Sequence, residues 1–348
     1  MRRKRRGWMR NGAILSVSAP AVRSASTYTH ALFERGRVGA GQALQTSSER
    51  RWLEPALAWY FVAVWGSGFV ATKIGLAHAP PFTFLSLRFA FGLVCLVPIV
   101  LIVRPRWPHS FGELRHVVVA GLLMHAVHLG GSHYTQYLGM SAGITSVLLS
   151  IQPLLTAMIA ARWMGEKLTR LQWAGIAIGL IGVALVVWHK VDVREARLGS
   201  LVAVTISLFG VTAGTLYQRT FCPLVDLRAA AVVQFACTLL VLVPLAALFE
   251  HAPVIWSWSL AGAIVYLVIG ASIFGVSALH WLMRRGQAAR VASLIYLTPV
   301  FAVLPEYLLF GVVPSLLSLA GIAVTTFGVA LVALRGRGAR MAAVAPAR

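Results

Sequence analysis

The apolar blocks of this 348-residue chain occur twice, at one fixed offset. Leu96-Val97-Pro98 returns as Leu242-Val243-Pro244, and Gly182-Val183-Ala184-Leu185-Val186 as Gly328-Val329-Ala330-Leu331-Val332. Ala174-Gly175-Ile176-Ala177 returns as Ala320-Gly321-Ile322-Ala323, Pro153 as Pro299 and Gly165 as Gly311. Each pair stands 146 residues apart. A gap-free repetition of a strongly apolar unit confines the fold to two similar half-bundles meeting around a shared cavity.

The medium follows from composition. The chain is 58% hydrophobic and 12% charged, with mean hydropathy +0.78, whereas a soluble domain carries about 25% charged residues. A bilayer is the expected solvent and partner. The net charge of +21 does not point to nucleic acid: eleven of the 31 Lys and Arg precede residue 52 and many others flank apolar runs. A nucleic-acid protein gathers such residues on a folded polar surface. Cys95, Cys222 and Cys237 lie in or beside apolar segments without metal-ligand spacing, so they read as packing residues. Residues 1–50 open on Met1-Arg2-Arg3-Lys4-Arg5-Arg6. The apolar stretch that follows is short and broken by Asn11, Ser16 and Ser18, which favours a disordered basic cytoplasmic tail over a signal peptide.

A spanning helix needs about 20 mainly apolar residues. Ten segments qualify, near 55–77, 81–103, 115–138, 143–163, 169–188, 199–220, 227–249, 258–283, 289–310 and 314–334. The expected fold is an all-α integral membrane protein of ten transmembrane helices, arranged as two inverted five-helix repeats. The first repeat covers 51–190 and the second 199–335, with a connector at 191–198 and a basic C-terminal tail at 336–348. Lys and Arg mark cytoplasmic loops. With the basic tail inside, the inner loops hold Arg104, Arg106, Arg115, Arg162, Lys167, Arg170, Arg219, Arg228, Arg284, Arg285 and Arg290. The outer loops hold only Lys190, Arg194 and Arg197, so both termini are expected in the cytoplasm. Loop charges also swap between halves. Lys167 and Arg170 become Val313 and Leu316, while Leu138 and Ile144 become Arg284 and Arg290, as inversion requires.

These motifs resemble a known family. Trp65-Gly66-Ser67-Gly68-Phe69-Val70-Ala71-Thr72-Lys73 and Pro80-Pro81-Phe82-Thr83-Phe84-Leu85-Ser86-Leu87-Arg88-Phe89 are similar to the first two helices of EamA-type transporters of the drug/metabolite transporter superfamily. So are Ser141-Ala142-Gly143, Leu149-Ser150-Ile151-Gln152-Pro153 and Gly165-Glu166-Lys167-Leu168, with Ala289-Arg290-Val291-Ala292-Ser293-Leu294 and Leu297-Thr298-Pro299-Val300 as second-half counterparts. The resemblance spans about residues 55–334. It implies an inner-membrane carrier of small organic metabolites, such as amino acids, working by alternating access. The family's second Gly-Glu is Gly311-Val312 here, and Glu306 is the acid nearest to replacing it.

Polar groups kept in hydrocarbon mark a substrate path. Pro153 and Pro299 sit mid-span, and each leaves a carbonyl one turn earlier without its donor. Ser150, Gln152, Tyr296 and Thr298 beside them are the leading substrate-binding candidates, with Trp65, Ser67 and Thr212 on the first helices of the two halves. The alternative is that the prolines only bend helices and the hydroxyls bond their own backbone. Lys73, which maps onto Arg219, can snorkel to an interface or bind an anion. Arg88, which maps onto Gln234, is expected as a hydrogen-bond hub for carbonyls. His125 and His128 share a helix face while His133 turns away, an arc too wide for a metal site. Lys73, His125, His128, His280 and Glu306 are the coupling or gating candidates. Gly175 and Gly321 head small-residue stripes suited to close packing or to a homodimer.

Two other function classes bear on the chain. A carrier or flippase for a lipid-linked substrate shares this architecture. An intramembrane enzyme would need a positioned nucleophile–base pair; Gly130-Gly131-Ser132-His133 lacks the required context, and no catalytic residue, metal or cofactor is assigned. No nucleotide-binding loop is present in the sequence.

Overall fold

The computed structural model describes residues 52–163, 168–192, 197–284 and 297–344. Ten helices follow one another along them: α1 Leu53–Leu76, α2 Pro81–Val103, α3 Phe111–Tyr137, α4 Ala142–Trp163, α5 Arg170–Asp192, α6 Leu198–Phe221, α7 Leu227–Phe249, α8 from Trp258 to Arg284, α9 Thr298–Phe310 and α10 Leu316–Val344. They form the second of two units, Met1–Leu53 and Glu54–Arg348, with α1 starting at the boundary. The basic N-terminal segment, Gly165–Lys167 and the Ala289–Tyr296 motif lie outside the described residues. Seven helices, α1 to α4 and α6 to α8, have the length and apolarity to cross a membrane, whereas the described apolar parts of α5, α9 and α10 are shorter. The last helix runs on to Val344, ten residues beyond the expected end of its span and into the segment read as a tail.

Local chemistry sets the starts. Ser110 caps α3 through Glu113 N (3.1 Å), Ser141 caps α4 through Ile144 N (3.3 Å), and Ser257 caps α8 through Leu260 N (3.1 Å). Each hydroxyl satisfies a donor that the first turn leaves unpaired. One helix is interrupted where its proline predicts it. α4 breaks at Ser150-Ile151, between Ala142–Leu149 and Gln152–Trp163, and the described α9 begins at Thr298-Pro299. Two others carry wide π turns: Leu122–Val127 in α3 and Tyr266–Gly275 in α8. The first, moved by the repeat offset, falls inside the second.

Packing pairs the two halves. α2 lies on α7, α3 on α6, the first segment of α4 on α9, and α5 on α10. α1 meets α8 and α9 in a cluster of Ala58, Phe61, Val62 and Leu282 with Leu279, Trp281, Leu297 and Phe301. Under the repeat, the α2–α7, α4–α9 and α5–α10 contacts map onto themselves, and α3–α6 maps onto α1–α8. The closest approach is α5 with α10. A Cβ on Gly328 would come within 2.6 Å of Gly175 O, and one on Gly321 within 2.8 Å of Gly182 O. The two glycine stripes therefore face each other within one chain. Apolar side chains cover the outside as well; Ile102 is 81% exposed and Leu240 77%. Such a surface suits hydrocarbon, where outward apolar residues carry no hydration cost.

Candidate functional site

The region around the described start of α9 is built on glycine. Gly66 lets α1 lie on the start of α9: a Cβ there would fall 2.6 Å from Thr298 O and 2.5 Å from Phe301 Cβ. Trp65 and Ser67 flank this contact. Trp65 is 41% exposed with its ring 5.3 Å from that of Phe61. Ser67 Oγ donates to Ala63 O and stands 2.6 Å from the Tyr266 hydroxyl of α8. Thr298 is buried with Pro299. On the α4 side, Phe69 of α1 packs on a cluster containing Leu149, Ile151 and Leu154 of α4 and Val204 and Leu208 of α6. Gln152 Nε2 donates to Thr156 Oγ1 (3.3 Å) and, across the halves, to Thr215 Oγ1 of α6 (3.4 Å).

Other candidates are placed differently. Ser150 Oγ donates to Val147 O (2.7 Å), and Thr212, fully buried, donates to Leu208 O (2.7 Å). Both hydroxyls serve their own helices. Tyr296 lies outside the described residues. Arg88 reaches the Ser272 hydroxyl in the π turn of α8 (3.4 Å) rather than a carbonyl. His125 is 3.4 Å from Gln234 Oε1 and edge-on to Phe89 and Phe235. Ser207 Oγ donates to His128 O (2.7 Å) and stands 2.9 Å from His128 Nδ1, which ties α3 to α6. His280 is half-buried in the last segment of α8.

Lys73 and Glu306, 233 residues apart, form one unit. Lys73 Nζ donates to Glu306 Oε1 at 2.7 Å and sits 4.5 Å over the Phe310 ring. It is thus turned inward to an acid rather than to an interface. Glu306, 2% exposed, also accepts Ala142 N (2.9 Å) and Gly143 N (2.7 Å). A carboxylate at a helix N-terminus meets unpaired donors and the positive end of the helix dipole. Gly143 permits the approach, since a Cβ there would lie 3.2 Å from Glu306 Oε2.

Sequence reading missed a second such cap. Pro80 and Pro81 give α2 no side-chain cap, and Pro81 has no N–H. Glu250, just past α7, takes Phe82 N (2.7 Å), Thr83 N (2.8 Å) and Thr83 Oγ1 (2.7 Å) instead. The usable signal was a helix start without Ser, Thr, Asp or Asn. Ile255 N also donates to His78 O (2.8 Å). Short connections place these links at the end of the bundle where α1, α3, α7 and α9 finish.

Comparison with known sequences decides what bundle this is. The profile of the EamA-like transporter family matches residues 55–188 and 197–334. The chain belongs to the EamA-like transporter family. Its two matched stretches are the two halves of the repeat. It is 27% identical over 271 residues to the uncharacterized inner membrane transporter YedA of Escherichia coli (strain K12), covering 78% of this chain and 87% of that protein. It is 26% identical over 288 residues to a probable amino-acid metabolite efflux pump of Salmonella typhimurium, covering 78% and 94%. A solved crystal structure superposes with TM-score 0.59 at 19% identity, covering 82% of this chain and 99% of that one, a likeness of fold. Family and relatives point to transport rather than catalysis, and to a multi-pass protein of the inner membrane.

Proposed function

We propose that this EamA-family protein is a secondary transporter that exports small organic metabolites, amino acids among them, by alternating access. Its ten helices all span the membrane as two inverted repeats, with both termini cytoplasmic. The observation that carries the reading is an accessible aromatic beside a helix junction, in a bundle that holds the interrupted α4: the described start of α9 lies on Gly66, between Trp65 and Ser67. Backbone freed at a break can coordinate a ligand where it borders a cavity. Trp65, Ser67, Tyr266, Thr298 and the Gln152–Thr215 pair form the substrate path in this reading. By the charge rule, the end tied by Glu306 and Glu250 faces the outside, so this conformation is closed outward.

The test is counterflow in proteoliposomes preloaded with amino acids, nucleosides and small organic acids, with efflux read by mass spectrometry. Saturable efflux of one class, weakened in Gln152→Ala and Trp65→Ala, is the expected result. Folded protein that moves none of these classes would remove the reading and leave a lipid-linked substrate as the next candidate.

A further inference from the structure

Two surface cavities open at the ends of the bundle, and the internal repeat relates them. One, of about 450 Å³, is lined by Pro80, Phe82, Tyr134, Phe249, Glu250 and His251 among others. The other, of about 400 Å³, is lined by Val103, Arg104, Pro105, Arg106, Leu224, Asp226 and Arg228. Shifting Val103, Arg104, Pro105, Arg106, Asp226 and Arg228 by the repeat offset gives Phe249, Glu250, His251, Ala252, Pro80 and Phe82, all in the first cavity. The charge is inverted between them. Where Glu250 brings its carboxylate to the start of α2, the equivalent residue is Arg104. Three guanidinium groups face this cavity against one carboxylate, Asp226. That carboxylate is already engaged, accepting Arg228 N at 2.9 Å and lying 3.7 Å from Arg228 Nε. Arg104 and Arg106 have no acidic partner among the described residues. Arg104 is also the one described residue other than glycine with positive φ, at 49°, a costly conformation for a side-chain-bearing residue.

The rim is apolar. Leu224 and Val103 of its lining are 97% and 45% exposed, and their chain neighbourhood adds Ile102 (81%) and Trp107 (45%). A ligand that satisfies both features has an anionic head and hydrocarbon tails. We propose that this cavity binds the phosphate of an anionic phospholipid, with Arg104 and Arg106 as its principal contacts, Arg228 at the side, and the acyl chains along Ile102 and Leu224. Arginine suits the task because its planar fork pairs phosphate oxygens two at a time.

The test uses the full-length protein purified in mild detergent, with phosphatidylglycerol or phosphatidylcholine added and retained lipid counted by native mass spectrometry. Phosphatidylglycerol is expected to be retained over phosphatidylcholine. The Arg104→Gln/Arg106→Gln double variant should bind phosphatidylglycerol about thirtyfold more weakly, as two basic contacts of ordinary strength imply. An Arg115→Gln/Arg170→Gln variant removes the same charge elsewhere and should bind normally. An unchanged size-exclusion profile and thermal midpoint in both variants show that each is folded. Equal loss in both would mean diffuse attraction and overturn the site. So would undiminished binding by the Arg104→Gln/Arg106→Gln protein. Competition by inorganic phosphate at millimolar concentration, with no preference for the lipid, would assign the cavity to a soluble anion and overturn the lipid.

Discussion

At the scale of single residues, the two carboxylates Glu306 and Glu250 matter for what they leave behind when removed. Glu306→Ala orphans Ala142 N and Gly143 N and strands the Lys73 ammonium, and should destabilise the protein by about 3 kcal/mol. Lys73→Met leaves Glu306 with its two backbone donors, and Lys73 is itself partly exposed, so a loss of about 1 kcal/mol is expected. Thermal unfolding in detergent measures both, and a larger loss for Lys73→Met would reverse the assignment of the cap as the main partner. The candidacy of Lys73 and Glu306 was legible in the sequence, because ionisable groups in apolar segments stand out. Their pairing was not, since a contact across 233 residues depends on how α1, α4 and α9 come together. Glu250 was passed over because it follows an apolar span and looks like an ordinary loop acid. Cys222 adds a chemical expectation. It lies just past α6, and burial pushes its thiol up from the usual range. At pH 8 it stays mostly protonated, so maleimide should label it far more slowly than a free thiol. Rapid labelling would show that the end of α6 opens.

At the scale of elements, the break in α4 could be read ahead of the structure and the π turns could not. Pro153 and Pro299 announce lost donors. The wide turns at Leu122–Val127 and Tyr266–Gly275 change hydrogen-bond register without a distinctive residue type, so hydropathy is blind to them. Their recurrence at equivalent places is nonetheless a mark of the repeat, and in α8 it gives Arg88 its hydroxyl partner, Ser272. The glycine stripes were legible as contact faces but not as each other's partner. Their tight approach makes a sharp prediction. Gly328→Val would drive a branched side chain into the backbone near Gly175 and Gly179, costing about 3 kcal/mol or more, whereas Gly262→Val, where a Cβ meets nothing within 4 Å, should be tolerated. Fluorescence-detected size exclusion of the two variants distinguishes them; similar monodisperse peaks would argue against the seam.

At the scale of the whole molecule, the duplicated framework was legible because apolar blocks survive in sequence while loop charges diverge. Hydropathy marks ten segments and ten helices follow in that order, seven of which have the length and apolarity to cross a membrane over their described residues. Inversion is open to direct test. His109→Cys and His251→Cys lie in the loops after α2 and after α7, two helices related by the repeat, and should be labelled by an impermeant maleimide from opposite faces of sealed vesicles. Labelling from one face would make the repeat parallel. The α5–α10 seam has a further meaning for traffic through the bilayer plane. With Gly175, Gly182, Gly321 and Gly328 bringing main chain against main chain, no acyl tail can slip between these two helices. A hydrophobic compound seeking the interior sideways from the lipid finds that wall shut, and its doorway must be sought along another pair.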